Sequence, residues 1–446
     1  MCVPSDATVF DSVTVVESTK YQTAFVIDGH SKLIGIVTNG DIRRYIISGG
    51  QMDAPVVDCM NRRFRAAPVS ANRESVLKIM DLGYSVVPVV DEVGRYIDFF
   101  AFGRTNVLAE AKTTIRARAP VRISFFGGGS DLISYYNHRD GLVLSASIAK
   151  FAHCTLSPRS DGKIRINSQD LVVSEYFESP EVFRDSQPQT LASAVVKAIE
   201  VDSGFDLHVY SDVPIGSGLG GSSAVATSII AAFNELRSSR WTSFDIAELA
   251  FMAERLLFGV AGGWQDQYAC SFGGFNLIEF RSTETVVNPI RLDPDIVSEL
   301  ECSLALVNTK RSRDSGKLHQ NHTEDQSTEK DKTLSRMVEF CRKMHRHLIK
   351  GELADFGIGL NEAWELKRNA FPGATDPSVD SIYECAKQAG ALGGKLLGGG
   401  MGGYFLFFVD PGQRPYLTAE LESRFGLQVE RIFFENHGAR SWRAPK

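Results

Sequence analysis

Two copies of one hydrophobic pattern occupy the first 110 residues. In the first, Val9, Val13 and Val16 fall on one helical face and residues 23–28 read as a strand. Gly29-His30 then turns, residues 33–37 return as a second strand, and a helix follows with Asp41 at its start. In the second copy residues 75–82 read as the helix, 85–91 as the strand, 92–94 as the turn and 95–100 as the returning strand. A unit this small cannot bury its apolar face alone, so its repetition implies two copies packed against each other.

Residues 104–118 are more polar, lack a sustained apolar period and read as a linker. Past it, short strands are predicted at 142–148 and 152–156, a helix at 190–200, and a strand at 206–213 with Leu207 and Val209 on one face. An apolar, alanine-rich helix then ends near Leu236. The next, over 244–258, carries one stripe of Ile246, Leu249, Ala250, Ala253 and Leu257, with Glu254 beside it. A long polar helical stretch runs to Lys350, and a helix at 415–425 with a strand at 427–433 closes the chain.

The element that organises this order lies between the strand at 206–213 and its helix. Pro214, Gly216, Ser217, Gly218, Leu219, Gly220, Gly221, Ser222 and Ser223 form a glycine and serine loop that opens the helix. Glycines take φ > 0 and expose backbone N–H groups, while the helix adds unpaired amides and about half a positive charge at its start. An anion is expected there; the bland alternative is an interdomain hinge. No Gly-Lys-Ser/Thr follows the glycines and no dinucleotide fingerprint is present, so the loop is of another phosphate-binding class.

Three further stretches carry candidate chemistry. Pro120 and a short strand lead into Gly127-Gly128-Gly129-Ser130-Asp131, where bare backbone at Gly128 admits a ligand, Asp131 accepts from sugar hydroxyls and Arg122 projects inward; glycine turns also serve folds alone. Glu254 at a helix end and Asp266 in the glycine-rich turn 259–268 present two carboxylates. Phosphoryl transfer needs one for Mg²⁺ and one to orient or deprotonate the attacking hydroxyl; the plain alternatives are a surface acid and a helix cap. Lys310, Arg311, Arg313 and Lys317 concentrate charge that suits either a substrate phosphate or a solvated helix start, and Trp364, Lys367 and Arg368 are placed on the same side. The glycine run 393–403, with Gly399 and Gly400, precedes an apolar strand and reads as a turn pressed against the loop or its nucleotide.

Length allows two or three domains. A net charge of −6 without long Lys/Arg runs argues against a nucleic-acid or membrane-surface partner. Seven scattered cysteines suggest neither a disulfide framework nor a CxxC metal site. No apolar stretch reaches membrane-spanning length and no signal-type start is present, so a cytoplasmic protein is expected.

Residues 1–110 resemble a CBS domain pair. The most specific element is Thr38-Asn39-Gly40-Asp41, matching a Thr/Ser-x-x-Asp ribose-binding pattern, which reads equally as a helix cap; the second copy has Asp98-Phe99-Phe100-Ala101 there, so at most one adenosine nucleotide site is expected. The glycine segments 119–132, 214–224 and 393–403, in that order, resemble the three motifs of the GHMP kinases. That resemblance spans 113–446. It implies an α/β fold in two parts, a ribosomal S5-like half over 113–300 and a ferredoxin-like half over 301–446.

It also implies ATP and Mg²⁺ as cofactors. Residues 214–223 would hold the ATP phosphates with Gly399 and Gly400 closing over them, and Ser222 with Glu254 would hold the metal. Asp266 would be the catalytic aspartate, supported by Arg122, and Gly128 and Asp131 would meet the sugar. Arg311 and Arg313 as the seat of a substrate phosphate follow from charge, not from a motif. Gly221 stands where serine is common, and Met401 interrupts the last glycine run. Segments 118–132, 265–268 and 393–398 are most similar to the heptose 7-phosphate kinase branch, which implies transfer to the anomeric hydroxyl on the route to GDP-heptose for surface polysaccharide. The alternatives are a 1-kinase for an unphosphorylated fucose- or galactose-like sugar and a nucleotide-binding regulator with an inactive kinase half. A homodimer is the expected assembly.

Overall fold

The computed structural model describes residues 1–19, 21–71, 73–101, 114–311, 328–371 and 373–444. The chain divides into two compact units, Met1–Arg104 and Thr105–Lys446. Among the described residues no helix is long and apolar enough to cross a membrane.

In the first unit β1 (Cys2–Pro4), α1 (Val9–Ser18), β2 (Thr23–Ile27), β3 (Leu33–Thr38) and α2 (Asn39–Ile47) form one half. Its β1 runs parallel to β2, and β2 antiparallel to β3. The second half repeats this with β4 (Ala67–Pro68), α3 (Arg73–Asp81), β5 (Val86–Val90) and β6 (Tyr96–Ala101), in the same strand order and senses. The leading strands β1 and β4, three and two residues long, are too short to leave a sequence period. The halves do bury a face together. Leu33 N–H donates to Gly94 O at 3.0 Å, Tyr96 N–H to Ser31 O at 2.9 Å, and the Phe25 ring lies 5.0 Å from Tyr96 and 5.7 Å from Phe99.

The second unit opens with β7 (Ile115–Phe126), α4 (Ile133–Tyr136), β8 (Gly141–Pro158), β9 (Ile164–Ser168) and β10 (Val173–Phe177). It continues through α5 (Pro180–Asp185), α6 (Leu191–Ile199), β11 (Phe205–Ser211), α7 (Gly221–Asn234), α8 (Ser243–Phe251), α9 (Gln265–Phe272), β12 (Phe275–Phe280) and β13 (Thr285–Pro289). Thr190 and Thr242 start α6 and α8 through capping boxes. Strand β8 is the spine of this mixed sheet. Its first half pairs with β12, its second half with β11, and its other edge with β7 throughout.

Two expectations change here. The linker does not reach 118, because β7 already starts at Ile115: Ile115, Ala117 and Ala119 are buried while Arg116 and Arg118 face outward, and one solvated face made the stretch look featureless. The two strands at 142–148 and 152–156 are one, since β8 bulges where the register shifts between Pro120 and Val121, and that bulge interrupts the period.

After α10 (Pro294–Ser303), β14 (Leu304–Asn308), β15 (Ala391–Leu396), β16 (Tyr404–Val409) and β17 (Val429–Arg431) form a second, antiparallel sheet in the order β15-β16-β14-β17. Helices Leu353–Ala370, Pro377–Gln388 and Arg414–Phe425 accompany it, with Thr328–Lys350 beside them. The strand expected at 427–433 shrinks to three residues, and an unforeseen β18 (Arg440–Arg443) returns to pair with β7. One apolar core joins the sheets: Phe356 meets Phe125 and Phe126 edge-on at 5.3 and 5.1 Å, and Phe340 meets Phe126 at 5.8 Å. Phe356→Ala is expected to cost about 3–5 kcal/mol, read as a lowered denaturant midpoint for the second unit, because a fully buried ring is lost from between two strand residues.

Candidate active site

In the glycine loop, Gly216, Gly218 and Gly220 have φ of 76°, 77° and 76°, an alternation that turns N–H groups toward one concave side. Helix α7 begins at Gly221 with Gly220 as its N-cap and no side chain capping it, so its first amides face the loop's hollow. The loop backbone is held from two directions. Arg122 N–H donates to Leu219 O at 2.9 Å, and Tyr404 N–H to Ser217 O at 3.0 Å. The third glycine stretch therefore does press on the loop: a Cβ at Gly403 would stand 2.4 Å from Ser217 O.

Beside the loop lies a cleft of about 730 Å³, whose walls include Arg122, Gly128, Asp131, Glu254 and Asp266. Residues of the loop, Gly398 and Gly399 also line it. Gly400 and Ser223 do not line it; Gly400, at φ 121°, packs on Ala374, and Leu219 is fully buried.

Three successive residues at the start of α9 each reach a different partner. Gln265 donates its N–H and Nε2 to Asp131 Oδ2 and Oδ1 at 3.2 and 3.0 Å. Asp266 accepts a two-pronged bond from Arg122, Nε to Oδ1 at 2.8 Å and Nη2 to Oδ2 at 2.6 Å. Gln267 Nε2 donates to Glu254 Oε2 at 2.6 Å. Asp266 thus sits in a first helical turn rather than in the preceding glycine turn. The remaining Arg122 nitrogen, Nη1, donates to Gly218 O at 2.6 Å, so one guanidinium ties the acid to the glycine loop.

Asp131 is 2% exposed, and Gly129 N–H adds a further bond to its Oδ1 at 2.9 Å. Burial, and then the neighbouring Asp266 carboxylate, push its carboxyl group above the usual carboxylate range. Its two oxygens serve first to hold α9 in place. Glu254 is fully buried, in a π-helical segment Met252–Leu257 that replaces the end of the expected α-helix. It accepts from the hydroxyls of Ser222 and Ser223, the latter at 2.7 Å, and lies 3.4 Å from Arg255 Nη1.

Of the charge cluster, Arg311 is paired with Asp376 and does not line the cleft, while Arg313 and Lys317 lie outside the described residues. Trp364 is buried in the core of the second sheet, and Arg368 pairs with Glu365 at 3.2 Å. In the first unit Thr38 and Asp41 form a capping box: Asp41 Oδ2 accepts from Thr38 N–H and Oγ1 at 2.9 and 2.6 Å, and its Oδ1 is held by Arg44. The capping box and Arg44 together therefore occupy both oxygens of the carboxylate.

Sequence reasoning gave no role to Lys395, whose one signal was a lone cation inside a glycine run. It lines the cleft at 5% exposure and donates to Ser124 O and Phe125 O at 3.0 and 2.7 Å. Burial, reinforced by Arg122 and opposed by Cys341, lowers its pKa from 10.5 to about 7. A neutral amine has two N–H bonds for two carbonyls. Between about pH 7 and 10.5 the unfolded chain carries a proton here that the folded chain sheds, so this group's contribution to stability rises with pH across that window. Below it the full cost of the buried charge remains. Relative to Lys395→Met, the wild type should gain stability from pH 7 to 10 in denaturant titrations; a pH-independent difference would refute the depressed pKa.

The chain matches the family model for the GHMP kinases N terminal domain over residues 189–274 and that for the GHMP kinases C terminal over 344–425. A CBS domain model matches residues 1–48. The D-glycero-alpha-D-manno-heptose 7-phosphate kinase of Campylobacter jejuni is 35% identical over 337 residues, which are 74% of this chain and 99% of that protein. Among solved structures, a D-glycero-D-manno-heptose 1-phosphate kinase from Bacteroides thetaiotaomicron superposes with a TM-score of 0.61 at 30% identity, covering 74% of this chain and all of that one. A putative sugar kinase from Campylobacter jejuni gives 0.62 at 34%, covering 75% of this chain and 100% of the other.

Proposed function

Since the chain belongs to the GHMP kinase family, as an ATP-using sugar kinase with a CBS domain at its start, we propose that it phosphorylates the anomeric C1 hydroxyl of D-glycero-D-manno-heptose 7-phosphate. The product is the 1,7-bisphosphate, a precursor of GDP-heptose for surface polysaccharide. One observation carries the catalytic part: Arg122 grips Asp266 with two nitrogens and the phosphate loop with a third, which sets a carboxylate and a phosphate cradle against the same cleft. The 35% identity over 99% of the heptose 7-phosphate kinase supports the substrate.

The loop amides and the start of α7 receive the ATP phosphates. Asp266 orients the attacking hydroxyl and takes its proton as the bond from sugar oxygen to γ-phosphorus forms and the bond to the bridging oxygen of ADP breaks. Arg122 keeps that carboxylate in register and adds positive charge beside the transferring group. Ser222 Oγ and the Glu254 carboxylate, adjacent and oxygen-only, are the hard donors that Mg²⁺ requires and would hold it. When bound, the metal supplies charge neutralisation at the phosphates. The basic side chains that line the cleft are Arg122, Arg255, Lys367 and Lys395.

Asp266→Asn should fold and bind ATP while turnover falls by about 10²- to 10⁴-fold; turnover near the wild-type rate would sink the assigned role. Incubated with ATP and heptose 7-phosphate, the protein should give a new anomeric phosphate signal in ³¹P NMR. Turnover of fucose or galactose without that of heptose 7-phosphate would replace the proposed substrate with an unphosphorylated sugar.

A further inference from the structure

The turn between the π-helical segment and α9 is built around one side chain. Arg255, next to Glu254, sends its guanidinium into the turn: Nη1 donates to Val260 O and Ala261 O at 3.1 and 3.3 Å, and Nη2 to Gly263 O at 3.3 Å. The chain closes tightly around it, since a Cβ at Gly262 would stand 2.6 Å from Nη2. Few other bonds hold this stretch. Val260 N–H donates to Glu254 O at 3.0 Å, but among the described residues the N–H groups of Ala261, Gly262 and Gly263 have no backbone partner. Trp264, at the head of α9, offers that helix no side-chain cap.

The two ends of the turn carry the acids of the cleft. At its entry is Glu254, gripped by Ser222 and Ser223 and 3.4 Å from Arg255 Nη1. At its exit Asp131 takes over, accepting from Trp264 N–H on its carbonyl oxygen at 3.4 Å and from Gln265 N–H on its carboxylate at 3.2 Å, and Asp266 follows. The Phe251 and Trp264 rings stack at 3.6 Å, which pins the end of α8 to the start of α9 and leaves residues 252–263 as an excursion between them. A planar fork that meets three carbonyls of one turn gives that excursion one shape, whereas an ammonium point charge has no such geometry. Both terminal nitrogens are committed to the chain and Nε is buried without a partner, so Arg255 serves the cleft through the turn rather than as a seat for phosphate.

Resting on the sugar-kinase reading, we propose that Arg255 is a positioning residue for phosphoryl transfer, folding the turn 259–263 into the shape that delivers Asp266 to the sugar hydroxyl at a set distance from Glu254. Arg122 aims the carboxylate, and Arg255 places the backbone that carries it. Transfer is sensitive to such placement, because an error of about 1 Å at the reacting groups costs on the order of 10²-fold in rate.

The test uses the full chain with whichever sugar the wild type phosphorylates. Arg255→Ala should lower kcat by roughly 10²-fold while the KM values for ATP and sugar stay within about twofold. In an Asp266→Asn background the same substitution should cost almost nothing more, because the group it places is already gone. Methylguanidinium added to Arg255→Ala should restore part of kcat, and methylammonium should not. A role in stability alone would lower the melting temperature but leave kcat of the folded protein unchanged and the additive without effect. Should Arg255→Ala fail to fold, Gly262→Ala decides: it keeps the arginine but crowds its guanidinium, and should likewise lower kcat without adding to Asp266→Asn. A raised KM for ATP with kcat retained, an equal loss in the Asp266→Asn background, or wild-type kcat in both variants overturns the proposal. If heptose 7-phosphate is refused but another sugar is used, the substrate assignment fails while the same variants still decide the role of Arg255; if no sugar is turned over, both fall.

Discussion

The two-pronged bond between Arg122 and Asp266 is the constraint on which the rest of the cleft depends. Arg122 is 4% exposed and stands in the middle of β7, which is paired to β8 along its length, so the guanidinium is delivered by the stiffest part of the sheet. Its partners come from far along the chain, Asp266 on α9 and Gly218 in the glycine loop. A buried ion pair of this kind contributes little net stability, yet removing one member costs several kcal/mol because the other is left uncompensated. Its value is positional: it fixes where an acid stands relative to an anion cradle.

Around that pair the fold removes freedom step by step. Asp131 holds the start of α9, Glu254 is gripped by two serine hydroxyls and an amide, and Lys395 bonds the backbone carbonyls that follow Arg122 on its own strand. Close approach makes this possible: a Cβ at Gly263 would fall 1.9 Å from Asp131 Oδ2. The glycine-rich turn before α9 is thus needed as much for packing against an acid as for chain reversal. Preorganisation of this sort is what phosphoryl transfer asks of a protein, since positioning and charge account for most of the catalysis.

The glycine loop was legible in the sequence from residue type and its flanking strand and helix, whereas Arg122, Glu254 and Asp266 stood out only through the resemblance of the three glycine segments to a known family. The first unit was legible through its repeat. What escaped was set by distant partners. Arg311 was read as part of a phosphate seat from local charge, and its partner Asp376, 65 residues on, was out of reach of that reading. Lys395 was invisible because burial, not sequence, gives it its character. Charged outward residues hid the first turns of β7 and the whole of β18, where Arg440 and Arg443 flank the pairing that extends the sheet. Asp131 was read as a ligand by its place after a glycine turn, and the structure gives its oxygens a structural duty first.

The π-helical segment Met252–Leu257 has a consequence for how this site can change over evolutionary time. A π-turn is a helix holding one residue more than its regular form needs, and each residue of a regular helix turns the face by about 100°. Deleting a single residue upstream within that segment would let the helix relax to ordinary α geometry, with caps and core stripe retained, while swinging Glu254 away from Ser222 and Ser223. Chain length here, and not only residue identity, encodes the presence of a buried carboxylate at the phosphate loop. A homologue with every hallmark residue in place but one position missing before that acid would keep the fold and lose the Glu254 carboxylate from beside Ser222 and Ser223.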